Sequence, residues 1–354
     1  MNYIEKFIKS SFSIDKNVVT DCFLHYDKNR DGFLDAHEFE VFLNDTFSDS
    51  GGTNNIQYEM AAAILKQLDE DQDNKLSKSE FYKSWRYWLK YVLNPVTALL
   101  VIDVQNDFIN GSLALNGYPA GHDGYDVIPV INKMLGEIPF DVVMYSKDWH
   151  PPNHISFGEN VKLRPLHETS KVSSDDAKVG DTVVFRGPPI TEQCLWPTHC
   201  VQNSKGAEIH CDLKIVEGSY VVNKGTNPEV DSYSAFWDNN KLSQTELVNL
   251  LSKHHVTDVY VCGLAYDVCV GFTALHSVEH GFRTVFIEDA CRGVTQEGME
   301  KMSDNLKGNG IVIAQSNEVK NLVEARHRNL QLGLQAAKNM ALGREMAQSR
   351  PSVI

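Results

Sequence analysis

The chain has 354 residues, enough for two domains, and 42% of them are hydrophobic, which supports packed cores and excludes a largely disordered protein. A net charge of −14 disfavours nucleic acid and anionic membrane surfaces as partners and suits cations or neutral small molecules. No apolar run reaches the length of a membrane span, residues 1–13 lack the apolar segment of a signal peptide, and seven cysteines at scattered spacings fit a reducing compartment; the expectation is a cytoplasmic protein that is not secreted, with the nucleus left open.

The first 94 residues carry two acidic loops of one template. In the first, Asp27, Asn29, Asp31 and Asp35 place side-chain oxygens at positions 1, 3, 5 and 9, Phe33 offers its carbonyl at position 7, Gly32 makes the sharp turn, and Glu38 stands at the bidentate twelfth position. This is the EF-hand spacing, which wraps hard oxygens round one Ca²⁺ ion. The second loop repeats it with Asp69, Asp71, Asp73, Lys75 (through its carbonyl), Ser77 and Glu80. Asn74 replaces the turn glycine there, and asparagine tolerates the left-handed conformation better than most residues. Leu34 and Leu76 hold position 8, where paired hands form a short two-stranded contact. Apolar stripes flank both loops, and the exit helix from Phe81 to Leu93 is rich in Trp85, Tyr87, Trp88 and Tyr91.

Asn94-Pro95 ends that helix and marks a domain boundary. Thr97 to Ile102 is a continuous apolar run, as in a central parallel strand covered on both faces. It stops at Asp103, with Asp107 four residues on. Carboxylates at the C-terminal end of such a strand lie where open α/β sheets keep their ligands. Both acids qualify for the site, the alternative being that one of them caps or fixes the loop; Asp103, abutting the strand, is the better candidate for a general base. A glycine-rich loop from Asn110 to Gly124 leads to a helix over Tyr125–Ile138 and a second strand over Asp141–Ser146.

The second strand runs into Asp148-Trp-His150-Pro-Pro-Asn-His154. Alternate residues of an extended segment face the same way, so Asp148 and His150 can converge on one cation. His199, in a loop stiffened by Pro197, is the best candidate for a third ligand, and His154 is close enough to be a further ligand or a hydrogen-bonding partner of one. Two histidines and a carboxylate with open positions suit Zn²⁺, or otherwise Fe²⁺ or Mn²⁺. The polar segment between Gly158 and Gln193 reads as a surface excursion, or a lid.

Ser219–Asn223 is a third β-like run, ending in Lys224-Gly225. A lysine there can point into the same crevice as Asp103. Aromatic residues follow on a loop, Tyr233, Phe236 and Trp237, suited to holding a flat ring. After a helix over Thr245–His254, the fourth strand, Asp258–Cys262, feeds Gly263, a short break and a helical pattern over Asp267–His280. This puts Cys269 near a helix start, where free N–H groups and the helix dipole are expected to lower a thiol pKa and can hold an oxyanion. Thr284–Glu288 and Ile311–Ala314 complete six strands. Strands alternating with helices give a doubly wound, mostly parallel α/β sheet, preceded by an all-α EF-hand domain. From about Glu318 the chain reads as a long polar helix with apolar points at Val323, Leu330, Leu332 and Leu334. The expected domains are residues 1–94, 95–317 and a helical extension over 318–354.

Five motifs, Asp103-Val-Gln-Asn-Asp-Phe108, Asp148-Trp-His150-Pro, Trp196-Pro-Thr-His199-Cys200, Asn223-Lys224-Gly225 and Gly263-Leu-Ala265-Tyr-Asp-Val-Cys269-Val, stand in order between about Thr97 and Ala314. Together they resemble the motif set of nicotinamidases, which belong to the isochorismatase-like cysteine hydrolases; the N-terminal EF-hand pair and the long segment before Trp196 resemble the animal form. The resemblance implies a catalytic triad of Asp103, Lys224 and Cys269, a metal, usually zinc, on Asp148, His150 and His199, and a cis peptide before Ala265 that turns the Ala265 and Cys269 N–H groups toward an oxyanion. It departs at Tyr266, where several relatives carry threonine. The implied reaction is hydrolysis of nicotinamide to nicotinate and ammonia through a cysteine thioester, in NAD salvage, with Phe108, Trp196 and Tyr233 walling the ring. The alternatives are another amidase of this fold, of the N-carbamoyl type, and a calcium-binding interaction protein with a relic hydrolase domain. The first alternative generally lacks the bound metal. The partners expected are the small-molecule substrate and a second copy in a homo-oligomer, with no nucleic acid and no membrane.

Overall fold

The computed structural model describes residues 16–47, 56–324 and 330–348. They fall into two compact units, one built from the described residues up to Pro95 together with those from Asn321 onward, the other from Val96–Lys320.

In the helical unit, α1 (Lys16–Tyr26) and α2 (Ala36–Phe47) flank the first acidic loop, and α3 (Tyr58–Leu68) and α4 (Lys78–Ser84) flank the second. After α4 comes a π-helical turn, Trp85–Leu89, and then α5 (Lys90–Leu93). The loops meet through two short antiparallel strands, β1 (Phe33–Leu34) and β2 (Leu76–Ser77), with Leu34 opposite Leu76 as their loop position predicts. Gly32 and Asn74 both take positive φ, +89° and +65°, so asparagine does replace the turn glycine. Ser77 and Glu80 form a reciprocal capping box that starts α4.

The sequence reading makes the residues from about Glu318 a long polar helix and a loose tail, together a separate extension; residues 349–354 lie outside the described ones. The structure instead has α11 (Ser316–Val323) and α12 (Leu330–Gln348), and α12 belongs to the helical unit. Leu334 and Ala337 are buried in the same core as Phe39, Phe81 and Trp88. A few apolar points four and three apart are enough to seat a polar helix on one face.

In the second unit, six parallel strands run in the order β10-β9-β8-β3-β4-β7. They are β3 (Thr97–Ile102), β4 (Val142–Asp148), β7 (Tyr220–Lys224), β8 (Asp258–Leu264), β9 (Arg283–Arg292) and β10 (Val312–Ala314). Every residue of β3 and β8 is buried, which explains their unbroken apolar runs. The connections carry α6 (Asn106–Ile109), α7 (Val127–Glu137), α8 (Leu247–Lys253), α9 (Gly271–Glu279) and α10 (Gln296–Gly308).

The segment between Gly158 and Gln193 is not a bare excursion. It contains the antiparallel pair β5 (Thr182–Phe185) and β6 (Thr191–Cys194). A small core of Ile155, Val161, Val183, Phe185 and Leu195 lies beneath the pair. Its apolar residues are too few and too scattered to show a period in a polar stretch, so only long-range pairing reveals the hairpin.

Candidate active site

Strand register brings the site together. Ile102, the last residue of β3, pairs with Gly263 on β8, and Asp148, the last residue of β4, pairs with Lys224, the last of β7. Asp103, Asp148, Lys224 and the turn after β8 therefore come from adjacent strand ends. Two glycines permit this closeness. A Cβ on Gly263 (φ +120°) would sit 2.1 Å from the Ile102 carbonyl oxygen, and one on Gly225 (φ +64°) would sit 2.3 Å from the His150 ring.

Lys224 is at the centre and has no exposed side-chain surface. Its Nζ lies 2.9 Å from Asp103 Oδ2 and 2.5 Å from Asp148 Oδ1, and it donates to the Ser232 carbonyl at 2.9 Å and to Cys269 Sγ at 3.3 Å. Asp103 also accepts from Ser146 Oγ at 2.6 Å. Oxygens of Asp103 and Asp148 and the Cys269 sulfur all lie within 4.8 Å of one another. Burial works against the lysine's charge, yet the two carboxylates outweigh it and hold Lys224 well above its usual value. Burial raises Asp103, with Lys224 opposing.

The thiol differs from the sequence expectation. Cys269 does stand in the first turn of a helix, a π-helical stretch over Tyr266–Val270 that continues into α9. Its pKa is nevertheless raised well above the ordinary thiol value, because it is buried and faces two carboxylates, with Lys224 alone pulling it down. Burial and the two carboxylates thus act against the lowering expected of a helix start, and a base beside the sulfur favours its attack. The peptide between Leu264 and Ala265 is cis, as the motif resemblance implies.

Beside the triad lies the metal set. Asp148 Oδ2 is 3.5 Å from His150 Nε2 and 3.8 Å from His199 Nε2. Each ring has its Nδ1 against a backbone carbonyl, that of Gly225 at 2.8 Å for His150 and that of Pro197 at 2.7 Å for His199. Carbonyls only accept, so Nδ1 carries the proton in the neutral ring and both Nε2 lone pairs face the carboxylate. Two imidazole nitrogens and one carboxylate, buried and convergent, fit a divalent transition metal. His154 stacks on His150 with ring centroids 4.0 Å apart and pairs its Nδ1 with Ser156 Oγ at 2.7 Å, beside rather than within this set.

Asp107, the other acid left open by the sequence, is a loop clamp. Its Oδ2 accepts from the Cys200 N–H at 2.7 Å and its Oδ1 from the Ser112 N–H at 3.1 Å. Cys200 has φ +45°, so this bond fixes an uncommon backbone turn next to His199. Gln105 performs the same service for Asp148, accepting from its N–H and donating to its carbonyl, both at 2.8 Å. The sequence leaves open that one of the two acids fixes the loop; it gives no sign of the Gln105 role, although Gln105 sits in the same motif.

A cavity of about 440 Å³, its mouth included, opens onto Cys269, His199 and Asp148. Phe108, Trp196 and Tyr233 line it, as expected. Leu113, Leu115, Tyr118 and Val294 also line it and had not been singled out. Three of these come from the glycine-rich loop, where apolar residues among glycines were the available signal.

In the acidic loops, Asp27 Oδ1 is buried with no hydrogen-bond partner among the described residues. Carboxylate oxygens of Asp69, Asp71 and Asp73 lie within 4.8 Å of one another. Glu38 and Glu80 fold back over their loops to accept from the N–H groups of Lys28 and Glu70. A buried oxygen without a donor and a cluster of carboxylates fit a hard cation. In the first loop Asp31 also pairs with Lys75 of the second at 3.0 Å, a contact exposed to solvent.

Residues 97–318 match the family model described as the Isochorismatase domain, and residues 16–86 that of an EF-hand domain pair. The chain is similar to the nicotinamidase of Escherichia coli (strain K12), with 38% identity over 202 residues covering 56% of this chain and 84% of that protein. Among solved structures, it is similar to a nicotinamidase of Acinetobacter baumanii, with a TM-score of 0.54 and 36% identity over 64% of this chain and 98% of the other. It is also similar to the yeast nicotinamidase bound to the inhibitor nicotinaldehyde, with a TM-score of 0.53 and 28% identity over 62% and 99% of the two chains.

Proposed function

The chain belongs to the isochorismatase family, and from that premise we infer that it hydrolyses nicotinamide to nicotinate and ammonia, in NAD salvage. The observation that carries this reading is the meeting of Asp103, Lys224 and Cys269 where Cys269 lines an aromatic cavity.

Amides are weak electrophiles with a poor leaving group, so a covalent route divides the barrier. Cys269 Sγ attacks the carboxamide carbon while Asp103 takes the thiol proton and then delivers it to the departing ammonia. Lys224 keeps Asp103 ionised and favours the thiolate as it forms. The Ala265 and Cys269 N–H groups stabilise the tetrahedral oxyanion, each worth about 3 kcal/mol. Ammonia leaves, and water hydrolyses the thioester to nicotinate and the free thiol, with Asp103 now removing a proton from that water. Phe108, Trp196 and Tyr233 hold the flat ring so that its carboxamide faces Cys269.

Asp148, His150 and His199 would hold the divalent metal. When bound, it supplies a Lewis-acid site facing the cavity, suited to a pyridine nitrogen. Asp148 also bonds Lys224, so one carboxylate orients both centres. The acidic loops are read as two Ca²⁺ sites formed by Asp27 to Glu38 and Asp69 to Glu80. Ammonia release from nicotinamide by the purified chain, measured with and without calcium and compared with Cys269→Ala, tests the reading. Absence of turnover in the unsubstituted chain would sink it.

A further inference from the structure

The C-terminal helix α12 is packed inside the helical unit in a way the hydrolase chemistry does not use. Its positions Leu330, Leu334, Ala337 and Met340 follow a spacing of four, three and three, one face of a helix. Leu334 and Ala337 are buried in the core formed by α1 to α5, and Leu330 and Met340 pack against that core. Trp88 of the exit helix donates its indole N–H to the Gly333 carbonyl at 2.8 Å in a buried bond. This is a helix laid in a groove, the mode by which EF-hand pairs take amphipathic targets, with the target supplied by the same chain.

One contact links that seat to a metal loop. Arg344 donates to the Gln67 carbonyl and approaches Glu70 at 3.9 Å. Gln67 lies in the last turn of α3 and Glu70 is the second residue of the second acidic loop, so they flank Asp69, its first ligand position. Glu70 is also held by Lys83, and its own N–H donates to Glu80 Oε1 at 2.7 Å. Glu70, which Arg344 approaches, is thus bonded through its N–H to the carboxylate that closes the loop.

We propose that the EF-hand pair uses the chain's own C-terminal helix as its target, so that Ca²⁺ binding in the second loop and seating of Leu330–Gln348 favour each other. An ion that orders Asp69 to Glu80 fixes Gln67 and Glu70 where Arg344 needs them. A seated helix fixes the same residues before the ion arrives, and linkage makes the two effects equal. Repulsion between the Arg344 cation and Ca²⁺ acts the other way. It is carried through water and screened at physiological salt, whereas the ordering acts through direct bonds. Because the helical unit is assembled from both sides of the hydrolase unit in sequence, seating α12 lets calcium hold α12 and α1 to α5 together.

This inference rests on the acidic loops being calcium sites. The test uses the full chain and two readouts. Calorimetric titration with Ca²⁺ is expected to show binding at least about 5-fold weaker in Ala337→Glu, which unseats the helix, and weaker also in Arg344→Ala, which leaves the apolar anchors intact. Amide hydrogen exchange of residues 330–348 in the unsubstituted chain is expected to slow by a similar factor when Ca²⁺ is added, a readout that needs no variant to fold. If Ca²⁺ binds but exchange is unchanged and both variants bind as tightly as the parent or more so, the linkage is wrong while the calcium sites stand. If no Ca²⁺ binds at all, the calcium reading and this inference fall together.

Discussion

At the scale of single residues, the site turns on how much burial changes a thiol and a carboxylate. Cys269 at a helix start suggests a ready thiolate; Cys269 in place is a buried thiol whose pKa burial and two acids raise and Lys224 lowers. The nucleophile therefore depends on Asp103, and Cys269→Ala should lower turnover by at least about 10³-fold, read by ammonia release, with nicotinamide binding retained. Activity through Asp103 requires it ionised. Burial raises its pKa and the Lys224 cation opposes that, so the acid limb of kcat/KM should lie above the usual carboxylate range. Removing the cation in Lys224→Met removes the opposing effect, so Asp103 binds its proton more tightly and the limb should move to higher pH. A pH–rate profile with an unmoved limb would show that Asp103 is not the titrating base.

At the scale of elements, the site is made by four adjacent strand ends and two fastened loops. Asp107 joins the turn after β3 to the His199-Cys200 loop, and Gln105 joins it to the end of β4. These bonds hold Asp148 and the His199 loop, the proposed metal ligands, from outside the cavity lining. Asp107→Asn keeps the shape and weakens the charge-assisted bond to Cys200, so metal affinity should fall by roughly 10-fold, measured by competition with a chelator. Stripping the metal from the unsubstituted chain should raise KM for nicotinamide more than it lowers kcat, because the ring loses its orienting contact. Equal binding by the stripped protein would remove that role.

At the scale of the whole molecule, the two units have separate reasons to be stable. The hydrolase unit rests on a sheet whose central strands are buried on both faces, and the helical unit on a core completed by α12. A ligand stabilises the unit that binds it by RT ln(1 + [L]/Kd), about 2.7 kcal/mol at a hundredfold excess over Kd. Scanning calorimetry should therefore show calcium raising one unfolding transition, that of the helical unit, and nicotinate raising the other. If both transitions moved together with either ligand, the division would not describe how the protein unfolds.

The sequence alone determined the features that depend on local spacing. The EF-hand loops could be read because their ligands are contiguous, and Leu34 and Leu76 met as their loop positions required. The central strands could be read because burial on both faces writes unbroken apolar runs. Cys269, Asp103, Lys224 and the metal set stood out as chemistry-bearing residues beside strand ends, and the order of their motifs carried the family. The sequence already prefers Asp103 to Asp107 because it abuts the strand; only the tertiary structure shows what faces each acid, Lys224 in one case and the Cys200 N–H in the other. It also shows the burial of the Cys269 thiol, since desolvation by distant parts of the chain leaves no mark on local sequence. The β5–β6 hairpin and the seat of α12 were hidden for a related reason. Their few apolar residues find partners far along the chain, and a polar segment has no local period to announce them.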